Sequence, residues 1–339
     1  MRAPYVREFA ASLEAAGEIA GVAFDLIKTA SGGLDFVCGG GAVLFGAVTK
    51  DGRRVRIKCY REHDPRRSEL YSALESLPAQ PYGVVGHYVE HGLAVVCDDR
   101  VVECDVLVVP EQEGVTLDRA AAELCREGRG EALSALAENW DKLVWWLMSM
   151  PWAHGDLKPD NVIVTPEGLR LVDFDAAWVE GMTTPRTEIG SADYNHPLRS
   201  HTMESKHVDD WGAALISLNL HLLAADPSLM HSGEFPVRAE QVVSGCFIKQ
   251  IRCCTSNLNP ILYTLTKILS ESSFPEIEGL AAVFAPAVPF DASRVEPFNV
   301  ASRWGLRCCT TIVRPAVWCD IVARDGVWYG IIEGRRVPL

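Results

Sequence analysis

The chain lacks an excess of basic residues, a long apolar run and the cysteine spacing of a metal site. Lys and Arg number 32 against 45 Asp and Glu in 339 residues, giving a net charge of -13 and a pI near 5.2. A general nucleic-acid binder presents a basic face, so no nucleic-acid partner is expected. No run reaches the about 18 apolar residues that a membrane span needs, so no membrane partner is expected. Met1-Arg2-Ala3-Pro4 leads into mixed polar sequence without an apolar signal core, and a cytoplasmic location is expected. Eleven cysteines are an odd count for a long chain, and the adjacent pairs Cys253-Cys254 and Cys308-Cys309 do not give C-x-x-C. Buried free thiols are expected rather than disulfides or structural zinc.

Chemistry concentrates in Ala153-His154-Gly155-Asp156-Leu157-Lys158-Pro159-Asp160-Asn161, which is followed by Asn161 to Thr165 and by Leu169 to Asp175. Asp156 and Asn161 stand five apart with the cation Lys158 between them. Two short β-like runs joined at Thr165-Pro166-Glu167-Gly168 return Asp173 towards the same place. Proline at the second turn position and glycine at the fourth suit a type I turn. Two carboxylates, a carboxamide and an ammonium suit a Mg²⁺-phosphate site, because Mg²⁺ takes hard oxygen ligands and a hydroxyl nucleophile needs an acceptor beside it.

This stretch resembles the catalytic loop and metal segment of the protein kinase superfamily, H-x-D-L-K-P-x-N followed by D-F-x. The resemblance implies that Asp156 accepts the proton of a substrate hydroxyl and Lys158 neutralises the transferring γ-phosphate. It further implies that Asn161 and Asp173 hold Mg²⁺ or Mn²⁺. It runs over roughly residues 4 to 225 and is nearest to bacterial serine/threonine protein kinase-like proteins. The fold it implies is α+β and bilobal: a β-rich N-lobe with an N-terminal helix over 1–110, a helical C-lobe over 111–285, and a linker with a small β-rich unit over 286–339.

Upstream, Val6, Phe9, Leu13 and Ala16 step as an amphipathic helix. Gly39-Gly40-Gly41 lies between β-like runs, and Lys50-Asp51-Gly52 joins Ala42–Val48 to Arg54–Tyr60 as a hairpin. A glycine triplet lets backbone N–H groups approach phosphates. The resemblance implies that Val43 covers the adenine and that Lys58, in Val55-Arg56-Ile57-Lys58, contacts the α- and β-phosphates. Arg56 stands where kinases usually carry alanine, on the same strand face as Lys58. It must swing aside, stack on the base or block it. Glu69 resembles the helix glutamate that pairs with the strand lysine, with Glu75 as the alternative. Val84–Val89, Gly92–Val96 and Cys104–Val109 read as strands. Pro110 to Leu117 resembles a kinase hinge, placing Val109 behind the adenine and Glu111 and Gln112 at the hinge, and Ile163 is expected among the nucleotide-binding residues.

Leu133, Leu136, Trp140, Leu143, Leu147 and Met150 form a helical stripe that delivers the catalytic loop. Gly190-Ser191 to Pro197 resembles the end of an activation segment, in which Ser191 buttresses Asp156 and Lys158. Val208, Trp211, Leu215, Leu218 and Leu222 read as a buried stripe, and Asp209 or Asp210 as the anchor of the catalytic loop. Gly155 replaces the arginine that reads a phosphorylated loop. Asp175 replaces the glycine of D-F-G, either as a further metal ligand or as a stiffener of the turn. Leu258 to Phe284 reads as closing helices, and from Trp304 three or four strands form an appended β-unit.

The leading expectation is a Mg²⁺-ATP-dependent kinase acting on Ser/Thr hydroxyls of a protein substrate, its own chain included. Lys158, two residues after Asp156, points to such acceptors. The alternatives are a nucleotide-binding scaffold of the pseudokinase type, engaging a partner protein with its β-unit, and a small-molecule kinase.

Overall fold

The computed structural model describes residues 2–78, 80–184, 190–196, 199 and 205–243. Beyond these it describes 262, 265–266, 268–269 and 280–284, together with six strands between 295 and 338. The chain is a mixed α and β protein. It divides into two compact units, one of residues 1–117 with 160–189, the other of 118–159 with 190–339. The first boundary thus falls seven residues beyond the expected end at Pro110, and the hairpin after Asn161 groups with the first unit.

The first unit opens on α1 (Val6–Ala16), whose Phe9, Ala10 and Leu13 are buried. Gly17 ends it at φ 64°, with its N–H on the Leu13 carbonyl, a left-handed cap suited to glycine. The strands are β1 (Glu18–Ile19), β2 (Val22–Leu26), β3 (Phe36–Cys38), β4 (Ala42–Thr49), β5 (Arg54–Tyr60), β6 (His87–Cys97) and β7 (Arg100–Pro110). They form one seven-stranded sheet in the order β1-β2-β4-β5-β7-β6, with β3 also on β4. Its core face carries Val43, Phe45, Ala47, Ile57, Cys59, Val95 and Val106 against Phe9 and Leu13. The two strands expected over 84–96 are one, β6, with a register shift between Val89 and Leu93.

Between β5 and β6 lies α2 (Pro65–Ser76), capped by Asp64, which accepts the Arg66 N–H, with proline in the first turn. Both features favour helix initiation there. After β8 (Val115–Thr116), and after β9 (Trp152–Ala153) of the second unit, the first unit resumes with β10 (Val162–Thr165) and β11 (Gly168–Leu171), β10 pairing with both β8 and β11. Val172 donates to the Asn161 carbonyl at 3.0 Å, which ties the segment of Asp173 to that of Asn161.

The second unit contains α3 (Leu117–Arg126), α4 (Gly130–Met148) and α5 (Asp210–Ala225), with α6 (Ala239–Val243) and α7 (Leu280–Phe284). The expected stripe of α4 is buried at Leu133, Leu136, Trp140, Leu143 and Leu147. Each such side chain contributes about 1.5–3 kcal/mol on leaving water. α5 is buried from Asp210 to Leu223, so its apolar residues surround the helix rather than forming one stripe. Trp140 Nε1 donates to the Ala213 carbonyl at 3.2 Å, and Asp141 accepts from Ser217 Oγ at 2.6 Å, so polar bonds reinforce the α4–α5 contact.

Strands Val295–Val300, Arg303–Cys308 and Thr311–Ile312 form one antiparallel sheet, and Ile321–Arg324, Val327–Ile332 and Arg335–Pro338 another. Among the described residues this region has six strands, two more than the most expected. The first lies where Pro297 suggested linker. Ile261, the turns Asp325-Gly326 and Glu333-Gly334, Thr187 and Pro197 lie outside the described residues. Of the described cysteines, Cys59, Cys97 and Cys104 are buried free thiols, Cys125 is partly buried and Cys38 is exposed. No helix among the described residues is long and apolar enough to cross a membrane.

Candidate functional site

In the first unit the site is built on the sheet face opposite the α1 core. Register pairs Leu44 with Lys58, Gly46 with Arg56, Lys58 with Leu107 and Arg56 with Val109. Directly paired residues share a face, so Leu44, Arg56, Lys58, Leu107 and Val109 stand together. Val43 is on the other face and fully buried among core side chains. The expectation that Val43 covers a base is overturned, because side chains alternate along a strand and the register differs by one. Leu44 is the residue on the Lys58 face.

Lys58 is the centre of this face. Its ammonium lies 2.6 Å from Asp173 Oδ1 and 2.8 Å from Asp175 Oδ2. Asp175 also accepts from Tyr60 Oη at 2.7 Å and Tyr71 Oη at 2.6 Å. Burial works against the lysine charge, but the two carboxylates outweigh it and raise the Lys58 pKa. Burial likewise pushes the Asp175 carboxyl up, and Lys58 with the two phenols holds it below the usual range. Asp175 is thus a buried partner of Lys58. The tyrosines were not singled out in the sequence, although Tyr60 follows Lys58 by two and so shares its strand face.

Glu69 does not pair with Lys58. Its carboxylate accepts from the N–H groups of Thr183 (2.8 Å) and Thr184 (3.1 Å) and from Thr183 Oγ1 (3.2 Å). Hydrogen bonds from Thr184 and Thr183 hold its pKa down to about 2. Glu75, the alternative, is exposed and meets His87 at 3.0 Å. The helix glutamate is therefore committed elsewhere, and Asp175 meets Lys58 in its stead.

Arg56 swings aside. Nη1 lies 2.9 Å from Asp35 and Nη2 2.5 Å from Glu111. A Cβ at Gly46 would collide with Asp35 Oδ2, so glycine there leaves room for this pair. The Glu111 N–H is bonded to the Arg54 carbonyl at 3.1 Å, and its carboxylate also meets Arg54 Nε at 2.5 Å. The Glu111 N–H is thus engaged by β5, contrary to its expected role as a hinge donor, because the β5–β7 ladder continues past Pro110. Gln112 Nε2 donates to the Pro110 carbonyl at 3.3 Å. Ile163 is half-buried on β10 and packs where a Cβ on Gly114 would lie 2.8 Å from it.

The Gly39 N–H bonds the Ala42 carbonyl at 2.9 Å, which removes it from the expected phosphate donors. A Cβ at Gly40 or Gly41 would meet nothing within 4 Å. Neither has a left-handed φ. Packing does not demand glycine at these two positions, so their bareness is available to a ligand approaching the turn.

Asp173 is held at φ 65°, a conformation aspartate tolerates better than most residues. Its carboxylate is 45% exposed, whereas Asn161 is buried. A carboxylate and a carboxamide on segments tied by the Val172–Asn161 bond are hard oxygen donors of the kind Mg²⁺ takes.

In the second unit the loop at His154–Lys158 is held from beneath. Asp209 accepts the N–H groups of His154 at 2.5 Å and Gly155 at 2.9 Å, which selects Asp209 over Asp210 as the anchor. Burial raises the Asp209 pKa despite those bonds and the nearby His154 and Arg199. Asp210 meets His207 at 3.1 Å. Gly155 stands at φ 81°, and its carbonyl accepts Arg199 Nη2 at 2.8 Å. That backbone conformation favours glycine. Arg199 was not foreseen.

Above this anchor, Lys158 Nζ lies 2.8 Å from Asp156 Oδ2 and 3.0 Å from Ser191 Oγ. The Ser191 N–H donates to Asp156 Oδ1 at 2.6 Å. Ser191 thus contacts both residues it was expected to buttress. A Cβ at Gly190, where φ is 82°, would lie 2.8 Å from the Gly155 carbonyl and 2.9 Å from Asp156. Burial pushes the Asp156 carboxyl up, but the Lys158 ammonium and the Ser191 N–H hold it below the usual aspartate range. It is an anion at neutral pH, able to accept a proton.

No protein-family model matches the chain, and no curated protein matches it.

Proposed function

We propose that the chain is a phosphotransferase of bilobal protein kinase-like architecture, moving the γ-phosphate of ATP to Ser/Thr hydroxyls of a protein. The observation that carries this reading is the triad of Asp156, Lys158 and Ser191. An ionised carboxylate and an ammonium lie within 2.8 Å of each other, on a loop whose backbone is fixed by Asp209. Asp156 would take the proton as the acceptor oxygen bonds to the γ-phosphorus and the bond to the bridging oxygen of ADP breaks. Lys158 would offset charge on the moving phosphoryl group, and Lys58 would hold the non-transferring phosphates. Asn161 and Asp173 would hold Mg²⁺ or Mn²⁺, which supplies charge neutralisation of the phosphates when bound. The open turn at Gly40-Gly41 and the face of Leu44 and Val109 would receive the nucleotide.

A second reading is a nucleotide-binding scaffold, with a partner protein on the C-terminal strands. It is favoured by the engagement of Glu69 with Thr183 and Thr184, and of the Glu111 N–H with Arg54. The two readings separate when purified protein is incubated with γ-labelled ATP and Mg²⁺ or Mn²⁺ beside Asp156→Asn. Label on protein that disappears in the variant supports transfer. Absence of label, with ATP still raising the melting temperature, supports the scaffold.

A further inference from the structure

Away from Lys58 and Asp173, the first unit gathers two histidines and an aspartate that the phosphate-handling residues do not use. His63 lies between β5 and α2, His91 at the irregularity of β6, and Asp105 on β7. One ligand atom from each lies within 4.8 Å of the other two. We propose that His63, His91 and Asp105 form a site for a Zn²⁺-class transition-metal ion, distinct from the Mg²⁺ ligands Asn161 and Asp173.

The donor set is two imidazoles and one carboxylate, which suits zinc rather than magnesium. His63 Nδ1 lies 3.0 Å from Asp105 Oδ2, and His91 Nδ1 lies 3.7 Å from Asp105 Oδ1. Both rings thus turn the same nitrogen towards one carboxylate, and they stand 4.9 Å apart between centroids. Asp105 has no exposed side-chain surface, while His63 is 37% and His91 53% exposed. The anion is fixed at the base and the imidazoles leave an open approach for a hydrated ion.

Backbone geometry serves the same arrangement. His91 is held at φ 52°, and its N–H donates to Asp105 Oδ1 at 3.0 Å. That bond orients the carboxylate, which also accepts from Tyr88, so that its other oxygen, Oδ2, faces His63 Nδ1. His63 Nε2 lies 3.7 Å from Glu90 Oε1. Once Nδ1 binds metal, the ring proton resides on Nε2, facing Glu90, in the carboxylate–histidine–metal arrangement that orients ligating histidines. Arg67 Nη1, at 4.0 Å from Asp105, is beyond hydrogen-bond reach and donates to the Glu62 carbonyl at 2.9 Å. A bound ion would clip the entry of α2 to β6 and β7, and it would stabilise the folded chain by mass action.

The test uses the purified full chain, stripped with a chelator and titrated with Co²⁺ and Zn²⁺. The expected result is a visible Co²⁺ band without the near-ultraviolet band of thiolate ligation, displaced by Zn²⁺, with a rise in melting temperature. The Co²⁺ band should vanish in His63→Ala and His91→Ala variants of unchanged circular dichroism, and persist in Asp173→Asn. If either histidine variant fails to fold, Glu90→Gln serves, with Zn²⁺ affinity expected to fall about tenfold. A thiolate band, binding indifferent to these substitutions, or no Co²⁺ band at all would overturn the proposal.

Discussion

Lys58 and Asp175 form an ion pair of 2.8 Å in which each side chain is only 13% exposed. Asp175 thus supplies a buried counter-ion to the strand lysine. Two phenols complete the carboxylate's shell. Removing one member of such a pair strands the other, which costs more than the pair itself contributes.

Asp175→Ala is therefore expected to destabilise the chain by about 3 kcal/mol, since Lys58 keeps Asp173 but Tyr60 and Tyr71 lose their acceptor. Urea unfolding measures it. Glu69→Ala, by contrast, is expected to cost under about 1 kcal/mol, because its carboxylate bonds at the surface. Faster proteolysis near Thr183 should accompany it. Equal costs for the two substitutions would contradict the exchange of partners.

The same carboxylate sets an acid dependence. The folded pKa of Asp175 is depressed, so the unfolded chain binds its proton first as pH falls. Its contribution is complete above the ordinary aspartate value of about 3.9 and is lost as pH falls below that value through the depressed one. Urea midpoints at pH 7 and in this acid window should converge between wild type and Asp175→Asn. A constant difference would exclude the linkage.

Val43 and Leu44 separate packing from binding. Val43→Ala is expected to cost about 2 kcal/mol of stability through lost burial, with nucleotide affinity unchanged. Leu44→Asp faces Lys58 and should weaken nucleotide binding with little loss of stability. Thermal shift with and without ATP compares the two, and the opposite pattern would restore Val43 to the nucleotide face.

In the second unit, Asp156→Asn should leave nucleotide binding intact and lower turnover by about 10²–10⁴-fold, the worth of a positioned base. Asp173→Asn should remove Mg²⁺-dependent nucleotide stabilisation as well as turnover. Because Asp156 titrates below the usual range, the acid limb of turnover should lie below about pH 3.9. Full activity in Asp156→Asn would show that the base is elsewhere.

Asp209→Ala leaves two buried N–H groups, of His154 and Gly155, without their acceptor. A loss of about 2–6 kcal/mol is expected, at about 1–3 kcal/mol per unsatisfied group. Chemical denaturation monitored by tryptophan fluorescence tests it. Asp210→Ala, whose partner is His207, should cost less.

Local pattern determined the elements of this chain. Spacing in α1 and α4, the turn residues at Asp51-Gly52 and Pro166-Glu167, and the existence of strands β4 and β5 were all legible, because each depends on neighbours within a few residues. The order Asp156, Lys158, Asn161, Asp173 and the contact of Ser191 with Asp156 and Lys158 were readable too, since one loop and one segment carry them. Pairing between distant side chains was decided only by the tertiary structure. A glutamate on α2 can face a strand lysine or a threonine loop, and sequence does not say which. Asp175 meets Lys58, and Glu69 meets Thr183 and Thr184, because the turn after Asp173 brings a carboxylate into a buried pocket of two phenols, where an unpaired ammonium would be costly. One-residue register placed Val43 in the core and Leu44 beside Lys58, a choice that depends on what packs behind the sheet.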